Sequence, residues 1–185
     1  MTDNAANTTR TEQDSMGPLQ VPAEALYGAQ TQRAVNNFPV SGQPMPASFI
    51  RALIRVKAAA AEANSQLGCI EAEMAEAIVG VSQELLADEG LQQHFPVDVY
   101  QTGSGTSSNM NANEVIATLA SLKLGKAVSP NDHINFGQSS NDVIPTTIHV
   151  SAALELNNKL LPALVHLAET IEAKADSLTG YCKTG

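Results

Sequence analysis

The sequence predicts a mainly α-helical protein. Apolar residues recur at steps of three and four over several long stretches, the spacing that places them on one face of a helix. Glycine closes most of these stretches, as expected at helix ends. Only residues 95–100 alternate enough to suggest a short extended segment. The last apolar stretches follow one another closely, which is typical of the start of a helical bundle.

The helices can be placed from their start and stop signals. They are expected over residues 24–36, 48–67, 71–86 and 111–124, and over a long stretch from 143 to 179 that Pro162 kinks or breaks. Ser48 is expected to cap the second helix, and Asn141 or Asp142 to cap the last stretch. The inward stripe of the second helix is predicted to contain Phe49, Leu53, Val56, Ala60, Ala63 and Leu67.

The bulk composition excludes two classes of partner. The chain has 185 residues, a net charge of −9 and a pI near 4.8, without a cluster of Lys and Arg, which argues against nucleic acid. No apolar run is long enough to cross a bilayer, so a membrane is not expected as a partner. An acidic chain attracts an anionic substrate only through local, oriented donors.

The polar N-terminus and the cysteines bear on location. Residues 1–15 fit neither a secretory signal nor an Arg-rich transit peptide, and we expect a disordered tail in a cytoplasmic protein. Cys69 and Cys182 are too few to hold an iron–sulfur cluster and are expected to be free thiols. No metal or other cofactor is predicted.

A polar run over residues 101–114 stands immediately before an apolar helical pattern. It reads Gln-Thr-Gly-Ser-Gly-Thr-Ser-Ser-Asn-Met-Asn-Ala-Asn-Glu, and Met110 is its only large hydrophobic residue. Each hydroxyl or amide would need a partner if it were buried. A glycine-hinged loop before a helix offers free backbone N–H groups to an anion. A solvated turn with a helix cap is the simpler alternative.

A second polar run, residues 129–142, has the same character. It reads Ser-Pro-Asn-Asp-His-Ile-Asn-Phe-Gly-Gln-Ser-Ser-Asn-Asp and also precedes a helix start. Two such loops could converge on one polar ligand, which favours a binding site over two unrelated turns.

Together these runs resemble the class II fumarase family of the fumarase/aspartase superfamily. The matching segments are residues 95–116, 130–132 and 137–149, with a weaker match at 22–34, and the similarity extends from about Met16 to the last residue. The motif Gln-Thr-Gly-Ser-Gly-Thr at 101–106 is similar to that of fumarases, whereas aspartases tend to have Gln-Gly-Gly-Ala-Gly-Thr there.

The resemblance implies an architecture and an activity. After the tail expected at 1–15, it implies an N-terminal lyase domain at 16–140 and the first part of a central helical-bundle domain at 141–185. It further implies a homotetramer when full length. The implied reaction is the metal-independent, reversible hydration of fumarate to (S)-malate in the tricarboxylic acid cycle.

The resemblance also assigns roles to individual residues. Substrate binding is assigned to Ser104, Gly105, Thr106, Ser139, Ser140 and Asn141. Of these, Thr106 is placed near a substrate carboxylate or the active water, and Asn141 is expected to position the water. We expect the two loops to meet across subunits around one C4 dicarboxylate.

A secondary anion site is implied at Ser129, Pro130, Asn131 and Asp132. The family usually has His-Pro-Asn-Asp at these positions, and this chain has serine in place of the histidine. Asn131 and Asp132 carry over, but Ser129 lacks the imidazole. A loop turn that binds no ligand is an equal alternative.

The family's catalytic histidine and candidate serine base match positions beyond Gly185. The sequence is therefore expected to be a fragment that associates with itself and does not turn over substrate alone. Two rival functions stay open. One is another lyase of the superfamily, such as aspartate ammonia-lyase. The other is a non-catalytic helical assembly module.

Overall fold

In the part of the chain that the structure describes, six α-helices make up most of the residues, which confirms the mainly α prediction. The computed structural model describes residues 9–182 and 184–185. Its elements are β1 (Thr9–Asp14), β2 (Gly17–Pro22), α1 (Ala29–Asn37), α2 (Ala47–Gln66), α3 (Ala72–Ala87), α4 (Thr106–Leu124), α5 (Ser140–Glu155) and α6 (Leu161–Ser177). Short 3-10 turns occur at Leu91–His94 and Gly103–Gly105, and π-helical turns at Pro130–Ile134 and Leu156–Leu160.

The core lies where α2, α3 and α4 pack together, with the first half of α5 against α2. Its fully buried members include Leu53 of α2, Ile78 of α3 and Ile116 of α4. This apolar burial is the main stabilising contribution to the fold. Among the described residues, no helix combines the length and hydropathy needed to cross a bilayer.

The inward stripe predicted for α2 was wrong in its second half. Ala63 and Leu67 are exposed, whereas Lys57 and Ala61 are buried. The buried set is Phe49, Ile50, Ala52, Leu53, Ile54, Lys57 and Ala61. It follows the i, i+4 row, so the buried face turns away from the apolar residues near the helix end. A side chain that looks polar in sequence thus occupies a core position.

The N-terminus differs from the disordered tail predicted for residues 1–15. Residues 9–14 form β1, which pairs antiparallel with β2. The guanidinium of Arg10 donates hydrogen bonds to the carbonyl oxygens of Ala25 and Tyr27 at 2.7 and 2.8 Å. These long-range bonds hold a segment too polar to form a core. Residues 1–8 of the predicted tail lie outside the described residues.

The helix starts also depart from prediction. Pro46 stands at the N-cap of α2 in place of Ser48, and α4 begins at Thr106, five residues before the predicted start. Ser139 caps α5, in place of Asn141 or Asp142. Its hydroxyl accepts the Asn141 N–H at 3.3 Å. Ser139 accepts an N–H that precedes those within reach of Asn141 or Asp142, and several positions in such a polar run are able to cap a helix.

The second half of α5 and all of α6 extend away from the core. Pro162 follows the π-helical turn Leu156–Leu160, which joins α5 to α6 and replaces the predicted kink or break. No residue of α6 is buried in this chain. Large apolar side chains are exposed along it, at Leu161, Leu164, Val165, Leu167 and Ile171. A stripe of this size is typical of an association surface.

Candidate functional site

The first candidate loop makes a sharp turn before α4. Ser104 has φ 55° and Gly105 has φ 68°, both in the left-handed region that non-glycine residues rarely adopt. This turn places the Ser104 Oγ and Thr106 Oγ1 atoms 3.1 Å apart, with both residues exposed. A non-glycine residue in this conformation is often part of a functional site. The turn therefore presents a pair of hydroxyls to solvent.

Two backbone N–H groups in the first turn of α4, those of Ser107 and Ser108, are bonded to side chains, whereas the sequence suggested free N–H groups there. The Gln101 Oε1 atom accepts the Ser108 N–H at 2.8 Å. The Thr102 hydroxyl accepts the Ser107 N–H at 3.3 Å. The loop thus caps its own helix with side chains, and its hydroxyls are the better donors for a ligand.

The second candidate loop ends at the start of α5. Ser139 and Asn141 are exposed, and Ser140 is half-buried. The Ser139 hydroxyl accepts the Asn141 N–H, which fixes the backbone while the Asn141 amide stays in solvent. Ser139 can therefore cap the helix while the side chain of Asn141 stays available to a ligand.

The two loops lie against each other within one chain. A Cβ at Gly105 would lie 3.1 Å from three side-chain carbons of Ile144 on α5. On the inner side, the Asn109 Nδ2 atom donates to the Ser140 Oγ atom at 3.0 Å. The starts of α4 and α5 are therefore neighbours within one chain, and the meeting of the two loops across subunits around one ligand stays a prediction.

The rest of the first polar run is buried. Ser107, Ser108, Asn109, Asn111, Asn113 and Glu114 all face the interior. Gln101 Nε2 donates to the Ser108 hydroxyl at 2.9 Å, and Asn111 Nδ2 donates to the His94 carbonyl at 2.9 Å. The run is therefore divided: residues 102–106 face solvent, and residues 107–114 form an internal polar layer that supports them.

Glu114 was not singled out from the sequence, although it organises the start of α1. Its carboxylate accepts the Gly28, Gln30 and Thr31 N–H groups at 2.9, 3.0 and 3.1 Å. It also accepts the Thr31 hydroxyl at 2.6 Å. A carboxylate at a helix N-terminus is favourable because it satisfies orphan donors and meets the positive end of the dipole.

Arg33 faces a cavity of about 240 Å³ behind the first loop, which Thr102 and Ser107 also line. Its guanidinium donates two hydrogen bonds to Asp14, at 2.8 and 2.9 Å. These bonds hold the pKa of the Asp14 carboxyl below its usual value. Since Asp14 balances the charge of Arg33, this cavity does not present an unpaired cation to a dicarboxylate.

The segment predicted as a secondary anion site is bonded within itself. The Ser129 hydroxyl donates to the Asp132 carboxylate at 2.8 Å and accepts the Asp132 N–H at 3.0 Å. His133 Nδ1 accepts the Ser129 N–H at 2.9 Å. Pro130 and Asn131 line a cavity of about 450 Å³ that has no basic residue in its wall. These contacts favour the loop turn, and the anion site stays a prediction.

Lys57 is the second residue that sequence reasoning missed. It is 0% exposed, and its ammonium donates to the side-chain oxygens of Asn135 and Gln138. Burial lowers the pKa of Lys57 to about 7, from its ordinary value of 10.5. The available signal was its place four residues after Leu53, in line with the buried face of α2.

Comparisons with known proteins agree with the motifs. The sequence model of a protein family described as lyase matches residues 17–185. A class II fumarate hydratase of Pseudomonas aeruginosa is 67% identical over 96% of this chain and 38% of its own length. A class II fumarate hydratase of Halobacterium salinarum is 56% identical over 95% of this chain and 38% of its own length. The chain thus spans somewhat more than a third of these relatives.

Solved structures show the same fold. A class II fumarase from Schistosoma mansoni superposes with a TM-score of 0.86 at 40% identity, over 91% of this chain and 37% of that chain. A fumarate lyase:delta crystallin from Brucella melitensis gives a TM-score of 0.89 at 41% identity, over 96% of this chain and 43% of that chain. The resemblance to class II fumarases is confirmed, and the match over residues 17–185 shows that this chain belongs to the lyase family.

Proposed function

We propose that this chain supplies substrate-binding loops of a class II fumarate hydratase, which reversibly adds water to fumarate to give (S)-malate. One observation carries the proposal: two hydroxyl-rich loops lie side by side at the starts of α4 and α5. The relatives named class II fumarate hydratases support the same reaction.

The loops suit a small dianion without a metal. Exposed donors are available on the first loop at Ser104 and Thr106, and on the second at Ser139 and Asn141. The positive ends of two helix dipoles add to the field at the same place. Such neutral, oriented donors can hold carboxylates although the chain as a whole is acidic.

The rate of the reaction depends mainly on how well the site stabilises the negative charge that develops in the transition state. Removing a proton from the carbon next to a carboxylate places further negative charge on that carboxylate. Donors aimed at its oxygens are therefore most effective in the transition state. A hydroxyl acts as a base only when neighbouring groups activate it. We therefore assign the loops to binding, charge stabilisation and water positioning. Thr106 is assigned to a carboxylate or the water, and Asn141 to the water.

The proposal extends to assembly and location. We propose a homotetramer in the intact enzyme, because α6 exposes an apolar stripe that a helical bundle would cover. A cytoplasmic location is supported by two exposed free thiols, Cys69 and Cys182, which are typical of a reducing compartment. We place the domain boundary near Ser140, where α5 begins.

An absorbance assay tests the activity. The complete product of the gene is incubated with (S)-malate, and fumarate formation is followed. Aspartate is supplied in a parallel assay. We expect fumarate from malate and none from aspartate. Fumarate formed only from aspartate would replace the proposal with an ammonia-lyase, and no product from either would contradict both.

A further inference from the structure

Lys57 is a buried amine whose hydrogen-bond partners are neutral amides. Among the residues that the structure describes, no carboxylate oxygen lies within 4 Å of its Nζ atom. Its Nζ atom donates to Asn135 Oδ1 at 2.9 Å and to Gln138 Oε1 at 2.8 Å. Lysine is almost never fully buried unless it is paired, so this position calls for a specific reason.

Both acceptors belong to the second polar run, in the part that directly precedes Ser139. Gln138 directly precedes Ser139, and its Nε2 atom donates to the Ile134 carbonyl at 2.8 Å. The Asn135 Nδ2 atom donates to the Gln138 carbonyl at 3.2 Å. The segment is therefore folded upon itself, and Lys57 connects it to α2 at two points.

The same amide oxygen joins this segment to α4. Asn135 Oδ1 accepts hydrogen bonds from Asn109 Nδ2 and Asn113 Nδ2, both at 3.2 Å, in addition to that from Lys57. Asn109 Nδ2 also donates to Ser140 Oγ. The side-chain oxygens of Asn109 and Asn113 are buried without a partner among the described residues. The network is thus built around donors that converge on Asn135.

We propose that Lys57 is a positioning residue for the substrate-binding loop at Ser139–Asn141. From α2, it holds Asn135 and Gln138 in place through two hydrogen bonds. Asn109, which donates to both Asn135 Oδ1 and Ser140 Oγ, connects these residues to Ser140. The expected effect on catalysis rests on the proposed fumarate hydratase function, whereas the expected effect on loop order does not. An apolar side chain at position 57 would remove the donor to Gln138 Oε1 and one of the three donors to Asn135 Oδ1, so the loop would move to find other partners or solvent.

The test replaces the ammonium while keeping the volume of the side chain. Lys57→Met is compared with Leu53→Ala, which removes buried core packing one turn earlier on α2 and whose apolar side chain donates no hydrogen bond to the network. Both are measured in the complete gene product at a temperature where circular dichroism shows full folding. We expect kcat/KM for malate to fall about tenfold or more in Lys57→Met, since small misplacements of binding groups are costly. In Leu53→Ala it should change less than about threefold.

A second measurement does not depend on activity. Hydrogen exchange of the amides at residues 135–141 should become at least about tenfold faster in Lys57→Met than in Leu53→Ala. If the protein has no fumarate hydratase activity, this readout still decides whether Lys57 orders the loop.

Gln138→Met provides an independent variant if Lys57→Met does not fold. It removes one acceptor from the loop side, at a half-buried position. We expect the same faster exchange at residues 139–141 and a similar loss of kcat/KM. Exchange and kcat/KM that match the Leu53→Ala control in the folded variants would overturn the proposal.

Discussion

Gly105 lies against Ile144, and this contact joins the two candidate loops. Three side-chain carbons of Ile144 lie 3.1 Å from the place that a Cβ of residue 105 would occupy. Gly105 also has φ 68°. The close approach of loop and helix therefore depends on the absence of a side chain at this position.

Gly105→Ala is expected to destabilise the chain for two separate reasons. The left-handed backbone costs an alanine about 1 kcal/mol, and displacement of Ile144 adds to it. Gly125→Ala is the matched control, because Gly125 has φ 66° and open space where the Cβ would lie. Urea denaturation should show a larger loss of unfolding free energy for Gly105→Ala. Equal losses would show that Ile144 can move away from the added methyl group without lowering the unfolding free energy.

Thr106→Val and Asn141→Ala are expected to lower the turnover of the complete enzyme by more than about tenfold. Each removes one donor that is aimed at the substrate, a loss that typically costs this much or more. Steady-state kinetics with malate measure the effect. Thr146→Val, at an exposed position of α5 outside the loops, serves as a control. Kinetics like the wild type in both loop variants would remove these residues from the proposed site.

Glu114→Gln is expected to lower the unfolding free energy by about 1–3 kcal/mol. The carboxylate accepts four hydrogen bonds from residues 28–31, and an amide turns an N–H toward some of those donors. Chemical denaturation measures the change. Glu84→Gln breaks only an exposed ion pair with Lys123 and should change stability by less than about 1 kcal/mol. Similar values for the two variants would show that other groups satisfy the start of α1.

Lys57 should make the stability of the chain rise with pH. Burial lowers the pKa of Lys57 in the folded state to about 7, whereas the unfolded value is near 10.5. Between these values the folded chain has released a proton that the unfolded chain still holds, so raising the pH favours folding. The cost of the buried charge is fully present below pH 7.

From pH 7.5 to pH 9 the gain should reach about 2 kcal/mol, given about 1.4 kcal/mol for each pKa unit. It is read from urea denaturation of the wild type relative to Lys57→Met, because the difference cancels the titration of all other groups. Parallel curves for the two proteins would show that Lys57 keeps an ordinary pKa.

The exposed stripe on α6 should drive self-association of the 185-residue chain. Leu164 and Ile171 lie seven residues apart on this helix and are half exposed. Replacing both with glutamate should shift the chain toward monomer in light scattering coupled to gel filtration, since the apolar area that favours association is lost. Leu122→Glu, at an exposed position of α4, should leave association unchanged. A wild-type chain that is monomeric at tens of micromolar would contradict the expectation.

The helices and the two loops could be predicted from the sequence because their signals are local. Periodicity, glycine stops and runs of hydroxyl and amide side chains are properties of neighbouring residues. Helix starts such as Thr106 and the cap at Ser139 were misplaced, because several residues in a polar run are able to cap. The hairpin β1–β2 was missed because Arg10 holds it through carbonyls 12 to 17 residues away.

By itself, the sequence determined the helical class, the lyase family motifs and the two loops that carry the candidate donors. Only the tertiary structure decided which polar residues face solvent and which support them from within. Glu114 meets Gly28 across 86 residues, and Lys57 meets Asn135 across 78. Such partners are fixed by how helices pack, and a buried charge is tolerated only where packing brings it enough hydrogen bonds.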